Sequence, residues 1–565
     1  MTENSIPGDL NLEQELGINL GPQITRYDDL ELLNHRKMLK EVQAMLTKKE
    51  IPIKEAMKDP QGRQAIMEEY KSVISKVAVK LSPRDSDYEL ATHVATKGRF
   101  VIVKKRSGKI KARLVFRGDL EDTTLDGDMS YYAHVASLPV VRAMLMRAGR
   151  SRRRLASLDI KTAFLQTTQF GEDEPYKYMV IWNPFTEAWE YYRLLAPLYG
   201  MKSAPVRWEQ TLSDFLESPE MGFRKGKNQP CIYWNPKTDL LIAVYVDDIL
   251  ADGDEADVKD FFEKLADRFE CGEPDWLNPE TPLDFIGMEV SMDSERIYLS
   301  MESYTEKALA VMGMSDCNPR AVPMPGPITD MTPLSNDQAS LFRTGKGALG
   351  WLVSTMRFDL AHYSSRISQY NAEPTAGALS ALKSVYRYLK GTKNLALSVP
   401  LHLTENAFSL TTDANHGSVE PIHKQKSWLG IELAMNGAPI VYSSTIAKCN
   451  VLSVGEGETL ALSKGTSEFS HMCYVLEEMN IPGLTMPLPI GTDSSCAVAF
   501  AKEGQTKTRM KHIDMRDEWV QDLRNRSKVN PYHLPGTENP SDLYTKIQTK
   551  TEFLKCRDRY AVFRK

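Results

Sequence analysis

An apolar run, Leu240-Leu241-Ile242-Ala243-Val244-Tyr245-Val246, breaks into two adjacent aspartates, Asp247 and Asp248, and Ile249-Leu250 follows at once. Val, Ile and Tyr favour strands, so apolar residues on both sides of a tight polar break predict a hairpin with acids at its tip. Two neighbouring carboxylates repel each other, and near a buried hairpin they are costly unless something cationic neutralises them. Divalent magnesium does this and prefers oxygen ligands. A two-metal site needs more carboxylate than one turn offers. The stretch Leu155-Ala156-Ser157-Leu158-Asp159-Ile160 supplies it, with Asp159 lying 88 residues upstream (247 − 159). Each piece alone has a plainer reading: an Asp-Asp after a strand is usually a solvated turn, and a lone Asp159 serves as a helix N-cap. The pair, with what lies between, is far more specific.

The Tyr245-Val246-Asp247-Asp248 box and the Leu158-Asp159-Ile160-Lys161-Thr162-Ala163-Phe164-Leu165 stretch resemble the reverse transcriptases of retroelements. The second box most resembles those of copia-type LTR retrotransposons (Pseudoviridae), and the resemblance runs from about Lys54 to Lys546. It implies an α+β and α/β multidomain chain. A polar, partly disordered leader (1–50) would precede a right-hand polymerase of fingers, palm and thumb (51–315). A linker and helical connection (316–400) and an RNase H-like domain (401–565) would follow.

Length agrees, since 565 residues predict three or four domains. No run of 18 apolar residues and no signal-peptide pattern at Met1 is present, so membrane insertion and secretion are not indicated. Seven scattered cysteines without a CxxC argue for reduced thiols and against a zinc knuckle. Net charge is −5, so nucleic-acid binding must rest on local patches. One runs from Lys104 to Arg117 with no acid in it, and another holds Arg147, Arg150, Arg152, Arg153 and Arg154. Such runs are usually solvated surface. Beside a carboxylate site they point towards phosphate.

In chain order, a helix is expected near Leu33–Thr47, and helices on both sides of Pro60. Phe100–Val103 and Ile110–Phe116 read as strands around the Ser107-Gly108 turn, a hairpin carrying the first basic run. It resembles the fingers hairpin that folds over the incoming nucleotide. That resemblance makes Lys111 and Arg113 candidates for triphosphate contact, and Lys104, Lys105 and Arg106 candidates for nucleic-acid contact. Leu198-Tyr199-Gly200-Met201-Lys202-Ser203-Ala204-Pro205 reads as a turn leading into a helix. In the family this stretch lies under the template and the nucleotide sugar, which implicates Tyr199, Gly200 and Lys202. Phe164, in the Asp159 box, would stand beneath the sugar; its plainer reading is core packing. Val258–Phe269 is an amphipathic helix, and Asp284–Val290 with Ile297–Leu299 resembles the primer-grip hairpin. A proline-rich linker (Pro319–Pro333) and a helix-rich segment to Leu389 follow.

From about Leu395 the texture turns to strands. Asp413 ends one strand, Glu458 follows Glu456 in the first turn of a helix, Asp493 follows a short apolar strand, and Asp542 stands at a helix start. Acids at helix starts also serve the dipole or the cap. In this order the four resemble the Asp-Glu-Asp-Asp set of RNase H. Lys511-His512-Ile513-Asp514-Met515-Arg516 resembles a further family motif, and Pro535-Gly536-Thr537 stands where cellular RNases H carry a histidine loop. The resemblance implies RNA-directed DNA polymerase and RNase H activities. Asp159, Asp247 and Asp248 would hold two Mg2+ ions, and Asp413, Glu458, Asp493 and Asp542 two more, with Mn2+ as a substitute. RNA template, DNA or tRNA primer, dNTPs and RNA–DNA hybrid would be its partners, with a second copy or other polyprotein products beside them, in cytoplasmic virus-like particles. The alternatives are a domesticated, inactive nucleic-acid-binding relative and a structural subunit of a dimeric polymerase.

Overall fold

The computed structural model describes residues 50–104, 109–124, 130–149, 153–171, 174–403, 405–418, 420–484, 486–503 and 515–564. The helix expected near 33–47, Lys105 and Arg106, and Lys511 to Asp514 lie outside the described residues. Pro60 opens the helix Pro60–Val77, capped by the Asp59 side chain, and a short helix, Ile53–Ala56, precedes it. Proline is tolerated there because the first helical N–H has no intrahelical acceptor.

Four sheets organise the chain. The first holds the basic hairpin, Thr96–Lys104 paired antiparallel to Ile110–Phe116, beside the strands Lys177–Asn183 and Ala188–Leu194. In the second, Arg154–Asp159 lies next to Asp248–Gly253, which turns back from Leu241–Tyr245. Leu138–Arg147, Ala204–Leu216 and Glu255–Arg268 bury apolar faces in the same core as this sheet. Each large apolar side chain taken fully out of water there contributes roughly 1.5–3 kcal/mol.

The third sheet crosses long stretches of sequence. Leu283–Phe285, Met288–Met292 and Arg296–Ser300 form a meander, Leu395–Pro400 adds to it, and Ala561–Phe563 completes the edge. The strand texture that begins at Leu395 therefore starts with a strand of this sheet. The helices Asn336–Thr355, Ala361–Ser368 and Ala376–Gly391 lie between its halves in sequence. The fourth sheet has Ala438–Ile446, Trp428–Met435 and Phe408–Asn415 antiparallel, with Leu488–Thr492 and Val529–His533 parallel beyond. The long helix Val454–Glu478 packs on it.

Buried polar groups fasten these parts together. Arg142 donates to the carbonyls of Ile440, Ser354 and Thr355 at 2.6–3.0 Å. It thereby joins the second sheet's core helix to the Asn336–Thr355 helix and the fourth sheet. Between the Ala361–Ser368 helix and the loop before Trp428, buried Arg366 pairs with Glu420, while His362 and His423 meet the Trp428 ring edge-on. Burial and the nearby Arg366 charge hold both imidazoles below their ordinary range, against the opposing Glu420 charge at His423.

Two arginines of the second basic run, Arg147 and Arg153, turn towards buried acids rather than outwards to phosphate as expected. Arg147 is fully buried, 2.9 Å from Asp252 and 2.7 Å from Asp239. Arg153 reaches the same two acids at 2.7 and 2.9 Å. Two guanidiniums thus neutralise a buried carboxylate that would otherwise be desolvated alone. Arg154 alone of the described residues in this run is exposed, 3.6 Å from Glu255; Arg150 and Arg152 lie outside the described residues.

Candidate active sites

The hairpin expected at the Asp247-Asp248 box forms, and its register places the acids. Asp248 sits directly opposite Asp159 on one neighbouring strand and opposite Tyr245 on the other. Val246 takes φ +65°, a region β-branched residues rarely enter. Such a conformation costs about 1–3 kcal/mol and persists only where its surroundings fix it. Here the Trp208 indole donates to the Val246 carbonyl at 2.6 Å, and the Ile160 N–H to the Asp247 carbonyl at 2.8 Å. Gly272 N–H donates to the Asp159 carbonyl at 2.8 Å. Three pinned carbonyls hold the backbone that presents the three carboxylates.

Burial raises the Asp247 carboxyl above the ordinary range, and Asp159 adds to it, while Arg113 and Lys111 oppose. Burial, with Asp247, Asp159 and Asp284, pushes Asp248 up to about 7. Lys111 and Arg113 alternate with the buried Ala112 and Leu114, so both stand on the outer face of one strand. Their charges reach Asp247, which brings the two expected triphosphate contacts to the acid site. The Arg113 guanidinium lies 5.5 Å over the Tyr199 ring, and Phe164 meets that ring edge-on at 5.8 Å. These three expected residues form one continuous ladder beside the acids. Gly200 follows at φ +90°, where a β-carbon would lie 2.2 Å from the Phe116 carbonyl oxygen, so only glycine fits. Lys202 is held against Glu121: its N–H donates to the carboxylate at 2.9 Å and its ammonium to the carbonyl at 3.5 Å. Lys104 is exposed at the strand end.

Sequence reading missed Glu69. Its carboxylate accepts the Leu114 N–H at 3.0 Å, is raised by burial, and lies in the field of Arg113 and Lys111. No motif marks it.

The second set of acids converges more tightly. Among the described residues, Asp413, Glu458 and Asp493 bring ligand oxygens within 4.8 Å of one another. Asp159, Asp247 and Asp248 share a hairpin end without closing that far. Asp413 comes from the strand Phe408–Asn415, Glu458 from the first turns of Val454–Glu478, and Asp493 from the end of Leu488–Thr492. Burial raises Asp413, with Asp542 adding; burial also raises Glu458, with Asp413 and Asp493 adding. The Glu458 Oε2 atom is buried without a hydrogen-bond partner. Glu456 has a different task, accepting the Leu452 N–H at 2.6 Å while its own N–H caps onto Ser453.

Asp542 lies on the 3-10 turn Pro540–Tyr544, whose cap is the Asn539 side chain, so the aspartate is not the cap. It stands 2.7 Å from the Lys546 ammonium, and the neighbouring Thr545 hydroxyl donates to Asp413. Neither partner was expected; spacings of three and four residues after Asp542 were the available signal. A β-carbon at Gly536 would come 3.0 Å from Asp493 Oδ2, so the Pro535-Gly536-Thr537 loop brings bare backbone close to that acid.

Residues 91–326 match the family of reverse transcriptases (RNA-dependent DNA polymerases). The Pol polyprotein of transposon TNT 1-94 from Nicotiana tabacum is 26% identical over 484 residues, 82% of this chain and 35% of the relative. That of transposon RE1 from Arabidopsis thaliana is 26% identical, covering 90% of this chain and 34% of its own length. The TyH3 Gag-Pol polyprotein of Saccharomyces cerevisiae is 23% identical, over 86% and 28%. The chain thus spans about a third of the length of these relatives. A ribonuclease H1 solved with an RNA/DNA hybrid aligns at 12% identity over 25% of this chain and 94% of its own, with a TM-score of 0.20, too low to weigh. No helix among the described residues is long and apolar enough to cross a membrane.

Proposed function

Because this chain belongs to the reverse transcriptases of copia-type retrotransposons, we propose that it copies RNA into DNA at one centre and cuts the RNA of the resulting hybrid at the other. The observation that carries the polymerase reading is the register that sets Asp159 opposite Asp248, with Lys111, Arg113, Tyr199 and Phe164 gathered beside them. On this reading the first sheet is the fingers, the second the palm, and the meander with Glu302–Val311 the thumb side. The Asn336–Gly391 helices are the connection and the fourth sheet is the RNase H-like domain.

Two Mg2+ ions per centre, with Mn2+ as a substitute, suit these donors, which are all carboxylate oxygen. The orphaned Glu458 Oε2 and the 4.8 Å convergence support that fit at the second centre. Asp159, Asp247 and Asp248 would hold the first pair, and Asp413, Glu458, Asp493 and Asp542 the second. Such ions would supply activation of the attacking hydroxyl or water and neutralisation of phosphate charge. The chain's own groups do the positioning. Lys111 and Arg113 pair with triphosphate oxygens, while Tyr199 and Gly200 floor the nucleotide pocket. Phe164 sits beneath the sugar and leaves no room for a 2′-hydroxyl. Lys104 and Lys202, with Lys105 and Arg106, contact the nucleic-acid backbone. At the second centre the hybrid is recognised by shape, phosphate and 2′-hydroxyl. Primer extension with dNTPs on an RNA template tests the reading. Elongation that requires a divalent cation supports it, and template binding without extension sinks it in favour of an inactive relative.

A further inference from the structure

One short turn serves the second acid cluster three times. Asp542 supplies a carboxylate, Thr545 a hydroxyl donated to Asp413, and Lys546 an ammonium 2.7 Å from Asp542 Oδ1. The Lys546 charge also acts on Asp413 and Glu458, so a single cation serves carboxylates from three separate elements. Asp413 and Glu458 are 2% and 5% exposed, and carboxylates packed this way repel strongly unless a positive charge stands among them. The Lys546 side chain itself remains 44% exposed. Its flexible four-carbon stem therefore has solvent to swing into when a stronger cation arrives.

We propose that Lys546 is a resident counter-ion that competes with a divalent cation for the Asp542 carboxylate. Lysine holds the cluster together before the ion enters, and yields Asp542 once it does. The affinity of the centre for magnesium is then set partly by how firmly this ion pair is made. Thr545 keeps Asp413 in place throughout, since its hydroxyl carries no charge for the ion to repel. The proposal rests on reading the cluster as a metal centre.

The test is a magnesium titration of the full chain, followed by calorimetry and by thermal unfolding, in the wild type, Lys546→Met, Lys546→Arg and Asp413→Asn. The component lost in Asp413→Asn reports the second centre. Lys546→Met should unfold at lower temperature in EDTA, yet half-saturate that component at a magnesium concentration lower by about tenfold, since the ion no longer has to displace a competing cation from Asp542. Lys546→Arg should restore wild-type behaviour in both respects. A merely structural lysine would lower stability without tightening magnesium. Half-saturation in Lys546→Met equal to or above wild type overturns the proposal. If no magnesium-dependent component is lost in Asp413→Asn, the metal-centre reading itself has failed, which is a separate result.

Discussion

Arg147→Met is a perturbation for which the basic run's two readings give opposite results. Arg147 and Asp252 are both fully buried, 2.9 Å apart, and Arg153 holds the other Asp252 oxygen at 2.7 Å. Removing one member of a buried ion pair typically costs about 3–5 kcal/mol, because the remaining charge stays desolvated. Arg153 still compensates Asp252 in the single variant, so the lower end, about 3 kcal/mol, is expected. Arg147→Met with Arg153→Met leaves Asp252 without either cation and should approach the upper end, about 5 kcal/mol. Urea unfolding of the wild type, both single variants and the double variant measures this cycle. Template affinity and its salt dependence should be unchanged in whatever remains folded. A variant of unaltered stability whose salt slope falls by about one would show a phosphate contact and refute the buried-cluster account.

Gly457→Ala should stabilise by about 0.5–1 kcal/mol, because helix propensity improves and the new β-carbon meets its neighbours at 3.6–3.8 Å. Gly465→Ala, eight residues on in the same helix, should destabilise, since its β-carbon would lie 2.5 Å from Thr412 Cγ2; thermal unfolding of both separates the two cases. Folded His362 and His423 bind protons less readily than they do in the unfolded chain, so stability should fall as pH drops below about 6.5, by up to ~1.4 kcal/mol per unit for each. Unfolding midpoints between pH 7.5 and 5.5 check this, and a flat profile would contradict it. Phe164→Val should keep dNTP incorporation within about tenfold, ~1.4 kcal/mol in the barrier, while rNTP incorporation rises much more. Single-nucleotide extension gives both kcat/KM values, and an unchanged ratio would make Phe164 a packing residue.

The hairpin at Asp247-Asp248 was legible because its apolar flanks and acidic tip are local, and the pairing with the Asp159 strand followed from the chemistry the acids require. The basic hairpin was legible for the same reason, down to Lys111 and Arg113 sharing a face, since strand alternation is a local rule. Arg147 was misread because its acids lie 92 and 105 residues away, and charge patterning cannot see a partner at that range. The joining of Leu395–Pro400 and Ala561–Phe563 to a meander near residue 290 was hidden likewise, as edge pairing leaves no signature in either strand. At the second centre the four acids could be read from element ends. Their counter-ion could not, because a lysine four residues after an aspartate is ordinary on any helical surface.

Two acid centres that act independently in one chain should be separable by single substitutions. The most direct measurement is a crossed assay of Asp247→Asn and Asp413→Asn, each keeping side-chain shape while removing a carboxylate charge. Primer extension on an RNA template and cleavage of a preformed RNA–DNA hybrid are read on both folded variants. Asp247→Asn should abolish extension and retain cleavage, and Asp413→Asn should do the reverse. Loss of both activities in either folded variant would contradict the account.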